Sequence, residues 1–180
     1  MQSVLLYLSD RNLLFQGGVG RGTGIGERGG LIARMDADDV ALSNRLEVQL
    51  SFLNAHKDVV LVGTHATVID EADSIIDSYL YPPREHQDIC SFLRRGNPII
   101  HPSVMFRKSA FDKIGGYRKF HNAEDYELWT RMIKVGRLAN IAEKLLLYRV
   151  HGASVTRKKH VKMRFTALLV RLLAHVRTLT

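Results

Sequence analysis

The sequence predicts an α/β domain whose sheet is at least partly parallel, and three observations carry that reading. β-rich runs alternate with stretches of helical period along most of the chain. At 180 residues, 46% hydrophobic and 24% charged, the chain has the balance of one packed globular domain. The apolar run Leu31, Ile32 and Ala33 leads directly into Asp36, Asp38 and Asp39. Asp36 and Asp38 would then sit at the carboxyl edge of a buried strand, where open α/β sheets place their ligands.

The elements follow in order. Residues 17–30 hold eight of the 14 glycines and are expected to be poorly helical. Gly24-Ile25-Gly26-Glu27-Arg28-Gly29 matches the dinucleotide fingerprint by letters, but a strand follows where that fingerprint needs a helix. The stretch therefore reads as a flexible connection, with a phosphate cradle as the alternative. Asn44 and Glu47 form a capping-box-like start, after which Leu46, Leu50 and Leu53 recur on one helical face. Residues 59–62, 66–69 and 75–81 are β-rich, separated by Gly63 and by Glu71-Ala72-Asp73, which predicts a strand and then a hairpin ended by Pro82-Pro83.

Residues 84–95 read as a helix with Ile89, Phe92 and Leu93 apolar, Cys90 as a small core residue and Gly96 as the stop. Residues 103–106 read as a short strand. Gly115-Gly116 breaks the chain before a helix that opens at Glu124, buries Tyr126, Trp129 and Ile133, and ends at Gly136. Residues 138–150 read as extended. Trp129 falls on the apolar stripe and so reads as core rather than as an exposed stacking platform. His101-Pro102 either shapes a pocket or starts a strand.

Twenty-six Lys and Arg against 18 Asp and Glu give a net charge of +8, which favours anionic partners. No zinc-finger spacing or RNA-binding aromatic signature accompanies the charge, so no nucleic-acid partner is predicted. One cysteine, Cys90, excludes an intrachain disulfide and is compatible with a reducing compartment. Residues 4–8 are too short and lack the basic flank of a signal peptide. No apolar run reaches the ~18 residues needed to span a bilayer. The expected location is cytoplasmic, including the cytoplasmic face of the membrane.

Hard oxygen ligands at Asp36 and Asp38 suit Mg²⁺ or Mn²⁺ that keeps several waters and also holds a diphosphate. The alternative is a turn whose Asp side chains cap backbone amides. Glu124 and Asp125 open a helix, so its dipole should keep both ionised at neutral pH, and one could act as a base; first-turn capping is the alternative. A phosphoryl-transfer reading with Asp36 as nucleophile and Asp38 as acid lacks a small hydroxyl residue beside the pair. A calcium loop from Asp36 fails because Ala41 occupies the turn position that needs glycine.

Five blocks together resemble a family-2 glycosyltransferase of the GT-A fold, over about residues 31–156. They are Ala33-Arg34-Met35-Asp36-Ala37-Asp38-Asp39, His101-Pro102-Ser103-Val104-Met105-Phe106, Gly115-Gly116-Tyr117, Ala123-Glu124-Asp125-Tyr126-Glu127-Leu128-Trp129 and Tyr148-Arg149-Val150-His151. The resemblance implies a mixed sheet flanked by helices. It also implies inverting transfer of a sugar from a nucleotide-diphospho-sugar donor to a hydroxyl of a saccharide or lipid-linked acceptor, in polysaccharide or cell-envelope synthesis. Asp36-Ala37-Asp38 matches the family's Asp-x-Asp motif. By that match Asp38 would ligate Mn²⁺ or Mg²⁺, Asp36 would contact the donor ribose or the metal through water, and Asp39 would position the donor. His151 matches a histidine that can complete the metal site. Asp125 matches the general base, with Glu124 beside it orienting acceptor or donor. Gly115 and Gly116 match a loop on the acceptor side, with an ordinary turn as the alternative.

The family's first strand, with its base-binding loop, is not recognisable in residues 1–30. The sequence therefore reads as amino-terminally truncated, with an exposed sheet edge and weakened donor binding; residues 4–8 or 13–15 could fill a vacated strand position. In residues 157–180, Val161, Phe165, Leu168, Leu172 and Val176 recur at helical spacing among seven Lys and Arg. That segment reads as an amphipathic helix that either lies on an anionic membrane or docks on the domain. A non-catalytic remnant that binds a partner or membrane is the alternative to an enzyme.

Overall fold

The computed structural model describes residues 3–8, 13–17, 30–120 and 123–151. In chain order the elements are β1 (Ser3–Leu8), β2 (Leu13–Gly17), β3 (Leu31–Asp36), β4 (Val40–Ala41), α1 (Arg45–Ala55), β5 (Val59–Ile69) and β6 (Ile75–Leu80). There follow α2 (His86–Leu93), a 3₁₀ turn (His101–Ser103), β7 (Met105–Arg107), α3 (Lys108–Lys113), α4 (Glu124–Met132) and β8 (Arg137–Arg149). Seven strands lie in the order β2-β1-β3-β7-β5-β8-β4, and β6 pairs with β5. The described pairings are antiparallel except β5 with β8, so the sheet is mixed and its one described parallel pair lies one strand in from the β4 edge.

Helices cover both faces. Alternation along β3 sends Leu31 and Ala33 to a core shared with Leu53 of α1, Val62 and Met105, and sends Ile32 to the opposite core. That second core contains Ile89, Leu93, Phe106, Tyr126, Leu128, Trp129 and Met132, from α2, β7 and α4. By the same alternation Arg34 and Asp36 share the face of Ile32, the side covered by α4. Trp129 is wholly buried, in agreement with its reading as core.

Several expectations need correction. Gly63 does not break the β-rich run: β5 is one strand of 11 residues, buried throughout. Glycine is needed there for close approach, because a Cβ would collide with the Asn140 side chain on β8 and crowd Ile99. The capping box at Asn44 does not form; Asn44 makes no side-chain cap hydrogen bond and has helical backbone angles. Phe92 is an exposed residue of α2, Cys90 is half-buried beside His86, and Ser103 belongs to the 3₁₀ turn rather than to a strand. The expected bare edge at β3 is covered, since β1 pairs with all of β3 in antiparallel register from Ser3 with Asp36 to Leu8 with Leu31. Residues 4–8 and 13–15 thus lie in β1 and β2. The glycine-rich segment 18–29 and the basic segment 157–180 lie outside the described residues.

Candidate active site at the end of β3

β3 ends by placing Arg34 and Asp36 side by side. Arg34 donates through Nη1 to Asp36 Oδ2 at 2.9 Å and through Nη2 to Oδ1 at 2.5 Å, a two-pronged pair with little solvent access. Beneath it Arg45 of α1, 2% exposed, donates to the carbonyls of Arg34 and Val104 and to Gln49, whose amide donates to the carbonyls of Val62 and Ser103. These carbonyls lie where β3, β5 and β7 diverge, so the two side chains supply donors that the ladder no longer provides.

The turn after β3 is held by the far end of β8. Arg149 donates its backbone N–H to Asp39 Oδ1 (2.8 Å) and its Nε to the Asp38 carbonyl (2.7 Å). Its Nη1 reaches the Asp70 carbonyl and its Nη2 pairs with Asp73 at 2.5 Å, which ties the turn to the β5–β6 hairpin. His151 Nε2 lies 3.0 Å from Asp38 Oδ2, and its Nδ1 lies 3.4 Å from Glu71 Oε1. Asp39 is buried with Oδ2 unpartnered. Burial pushes its carboxyl up to about 6, the Arg149 N–H opposes this, and the Asp36 and Asp38 charges add to it.

The second acidic pair stands at the start of α4. Asp125 Oδ2 accepts from Asn97 Nδ2 at 2.6 Å and lies 3.9 Å from His101 Nδ1. His101 Nε2 lies 2.9 Å from the Tyr117 hydroxyl. Burial pushes Asp125 up to about 6; the Tyr126 amide, Asn97 and Arg34 pull it down, and Glu124 pushes it up. The helix start therefore does not dominate as expected. Desolvation does, although Asp125 is still mostly ionised at pH 7. Burial and the Arg34 charge hold His101 well below its usual range, so it is neutral.

Arg34 connects the two halves. Its guanidinium acts electrostatically on Asp39, His101, Tyr117, Asp125 and Tyr148, while Tyr117 also feels Asp36, Glu124 and Asp125. Asp36 and Asp125 thus belong to one neighbourhood on one face of the sheet, and Asp38 with His151 adjoins it. Gly115 (φ +74°) and Gly116 (φ +65°) close α3: Gly115 N–H donates to the Asp112 carbonyl and Gly116 N–H to that of Phe111, the paired bonds of a Schellman stop. Arg131, paired with the fully buried Glu127, donates to the carbonyls of Ile114 and Gly116 and fixes this turn. The turn delivers Tyr117 to His101. Arg45, Gln49, Asn97 and Tyr117 were not singled out from sequence. For Tyr117 its place after Gly115-Gly116 was a usable signal, whereas the other three carried none.

No protein-family model matches the chain. The chain is 39% identical over 127 residues to the O-antigen biosynthesis glycosyltransferase WbnJ of Escherichia coli, covering 69% of this chain and 49% of that protein. It is 34% identical over 130 residues to the amylovoran biosynthesis glycosyltransferase AmsE of Erwinia amylovora, covering 72% and 48%. An Escherichia coli protein named UDP-Gal:alpha-D-GlcNAc-diphosphoundecaprenol beta-1,3-galactosyltransferase is 26% identical over 115 residues, covering 59% and 38%. The chain spans about half the length of the first two relatives. Over roughly 70% of its own length, then, the chain is related by sequence to bacterial glycosyltransferases named for O-antigen and amylovoran biosynthesis.

Proposed function

We propose that this chain carries the catalytic carboxylates of an inverting, family-2 glycosyltransferase of GT-A type, acting on a nucleotide-diphospho-sugar and a hydroxyl acceptor. The observation that supports this best is the Arg34-centred neighbourhood that joins Asp36 to Asp125. In this reading the acceptor hydroxyl attacks the anomeric carbon as the bond to the diphosphate breaks, and its proton passes to the Asp125 carboxylate. Glu124, half-buried beside the base, orients acceptor or donor.

Among the described residues no three His, Cys, Asp or Glu side chains form a metal-holding group. The residues nevertheless fit a Mg²⁺ or Mn²⁺ that relies on donor phosphate and water for the rest of its shell. Asp38 and His151 are already in contact and partly exposed, and an unpartnered Asp39 oxygen lies next to them in sequence. Both oxygens of Asp36 are engaged by Arg34, which favours the ribose or water-mediated role for Asp36 over direct ligation. When bound, the ion would neutralise charge on the departing diphosphate. Asp39, held by Arg149, keeps the turn in shape for the donor.

A lipid-linked acceptor accords with the relative named for a diphosphoundecaprenol substrate and with the basic segment 157–180, which would hold the chain at an anionic membrane surface. No described helix is long and apolar enough to cross a membrane. The test is Mn²⁺-dependent hydrolysis or transfer with a panel of nucleoside-diphosphate sugars. Asp38→Asn and Asp125→Asn should each abolish turnover, and turnover unchanged in both would refute the assignment. The basic segment 157–180 favours one second reading, a non-catalytic partner- or membrane-binding protein. Absence of any nucleotide-sugar binding with metal, together with vesicle binding lost on removing residues 157–180, would select it.

A further inference from the structure

We propose that Asn97, in the loop between α2 and the 3₁₀ turn, is a positioning residue that fixes the rotation of the Asp125 carboxylate above His101. The inference rests on Asp125 serving as the base. Asn97 is itself oriented: its Oδ1 accepts the backbone N–H of Ile99 at 3.2 Å, so Nδ2 faces outward and donates to Asp125 Oδ2 at 2.6 Å. Pro98 follows it and is buried, which restrains the loop. The same Asp125 oxygen stands 3.9 Å from His101 Nδ1, too far for a hydrogen bond but near enough to limit the swing of the carboxylate. His101 cannot follow that swing, because its other nitrogen is bonded to Tyr117 and its ring packs edge-on against Trp129.

A carboxylate at a helix start turns about its last bond unless both its oxygens are held; the Tyr126 N–H supplies a backbone hold, and Asn97 adds the side-chain one at Oδ2. A base must offer one oxygen within hydrogen-bond reach of the acceptor hydroxyl, so the hold matters to rate rather than to donor binding. Asn97 is exposed, which places this hold on the solvent side of Asp125, where an acceptor would enter. The charged and titratable groups that face Asp125 are Arg34 from β3, His101 from the 3₁₀ turn, Tyr117 from the loop after α3, and Glu124 on its own helix.

Carbon-13 NMR of the side-chain carboxyls tests this on the full chain. Losing a hydrogen bond to the ionised form should raise the Asp125 titration midpoint by about one pH unit in Asn97→Ala. Asn97→Asp, which keeps the shape but replaces the donor by a charge, should raise it further. With donor and acceptor present, Asn97→Ala should lower kcat about tenfold with donor KM unchanged, and should move the acidic limb of the rate profile up with the NMR midpoint. An Asp125 midpoint that is the same in wild type and Asn97→Ala overturns the inference. A midpoint raised in Asn97→Ala, with transfer by wild type that Asp125→Asn leaves unchanged, keeps the hold in place and refutes the catalytic reading of Asp125 instead.

Discussion

At the scale of single residues, the chain sets charged groups in places where water would ordinarily compensate them. Asp125 is the clearest case, because burial raises its carboxyl to about 6 against an ordinary 3.8. The native state therefore holds that proton more tightly than the unfolded chain. The associated stability is present below pH 3.8 and is lost as pH rises through 6. Asp125→Asn should accordingly be more stable than wild type at pH 7, by up to about 3 kcal/mol, with the gain vanishing near pH 4; urea unfolding at the two values measures it. In the proposed function the same group, as the base, sets the activity profile, with transfer half-maximal near pH 6 and falling about tenfold per pH unit below it. Arg45 presents the opposite balance. Its removal in Arg45→Met would leave Gln49 and the Arg34 carbonyl under-partnered in the core, and should cost about 3 kcal/mol in denaturant unfolding.

At the scale of elements, the turn after α3 shows how local backbone chemistry serves the site. Gly116 combines positive φ with the Phe111 ring only 3.2 Å from where a Cβ would stand, whereas Gly115 has positive φ and open space. Gly116→Ala should destabilise by about 2 kcal/mol and Gly115→Ala by about 1, a ranking that thermal melts resolve. What sequence made legible follows the same physics. β3 could be read because an apolar run ending in carboxylates has few other uses, and α4 because Tyr126 and Trp129 recur at helical spacing. A glycine normally weakens a strand, so local pattern interrupts β5 at Gly63, whereas the close approach of Asn140 that requires glycine there is a long-range fact. The face of α1 was read through its leucines, yet Arg45 and Gln49 are its most buried polar positions. Their partners are carbonyls far away in sequence, which no local pattern records.

At the scale of the whole molecule, the sheet places its chemistry where strands diverge. β3 brings Arg34 and Asp36 to the face that α4 covers, and β8, running parallel to β5, carries Arg149 and the following His151 to the turn after β3. Two carboxylate motifs far apart in sequence lie within the electrostatic reach of one guanidinium, and in the proposed function the neighbouring Asp38–His151 pair would hold the cation. Paramagnetic broadening by Mn²⁺ in the carbon-13 spectrum tests that arrangement without requiring turnover. Stoichiometric Mn²⁺ should broaden the side-chain signals of Asp38, His151 and Asp125 together, and Asp38→Asn should abolish the effect. Broadening that spares Asp125, or that persists undiminished in Asp38→Asn, would contradict the account.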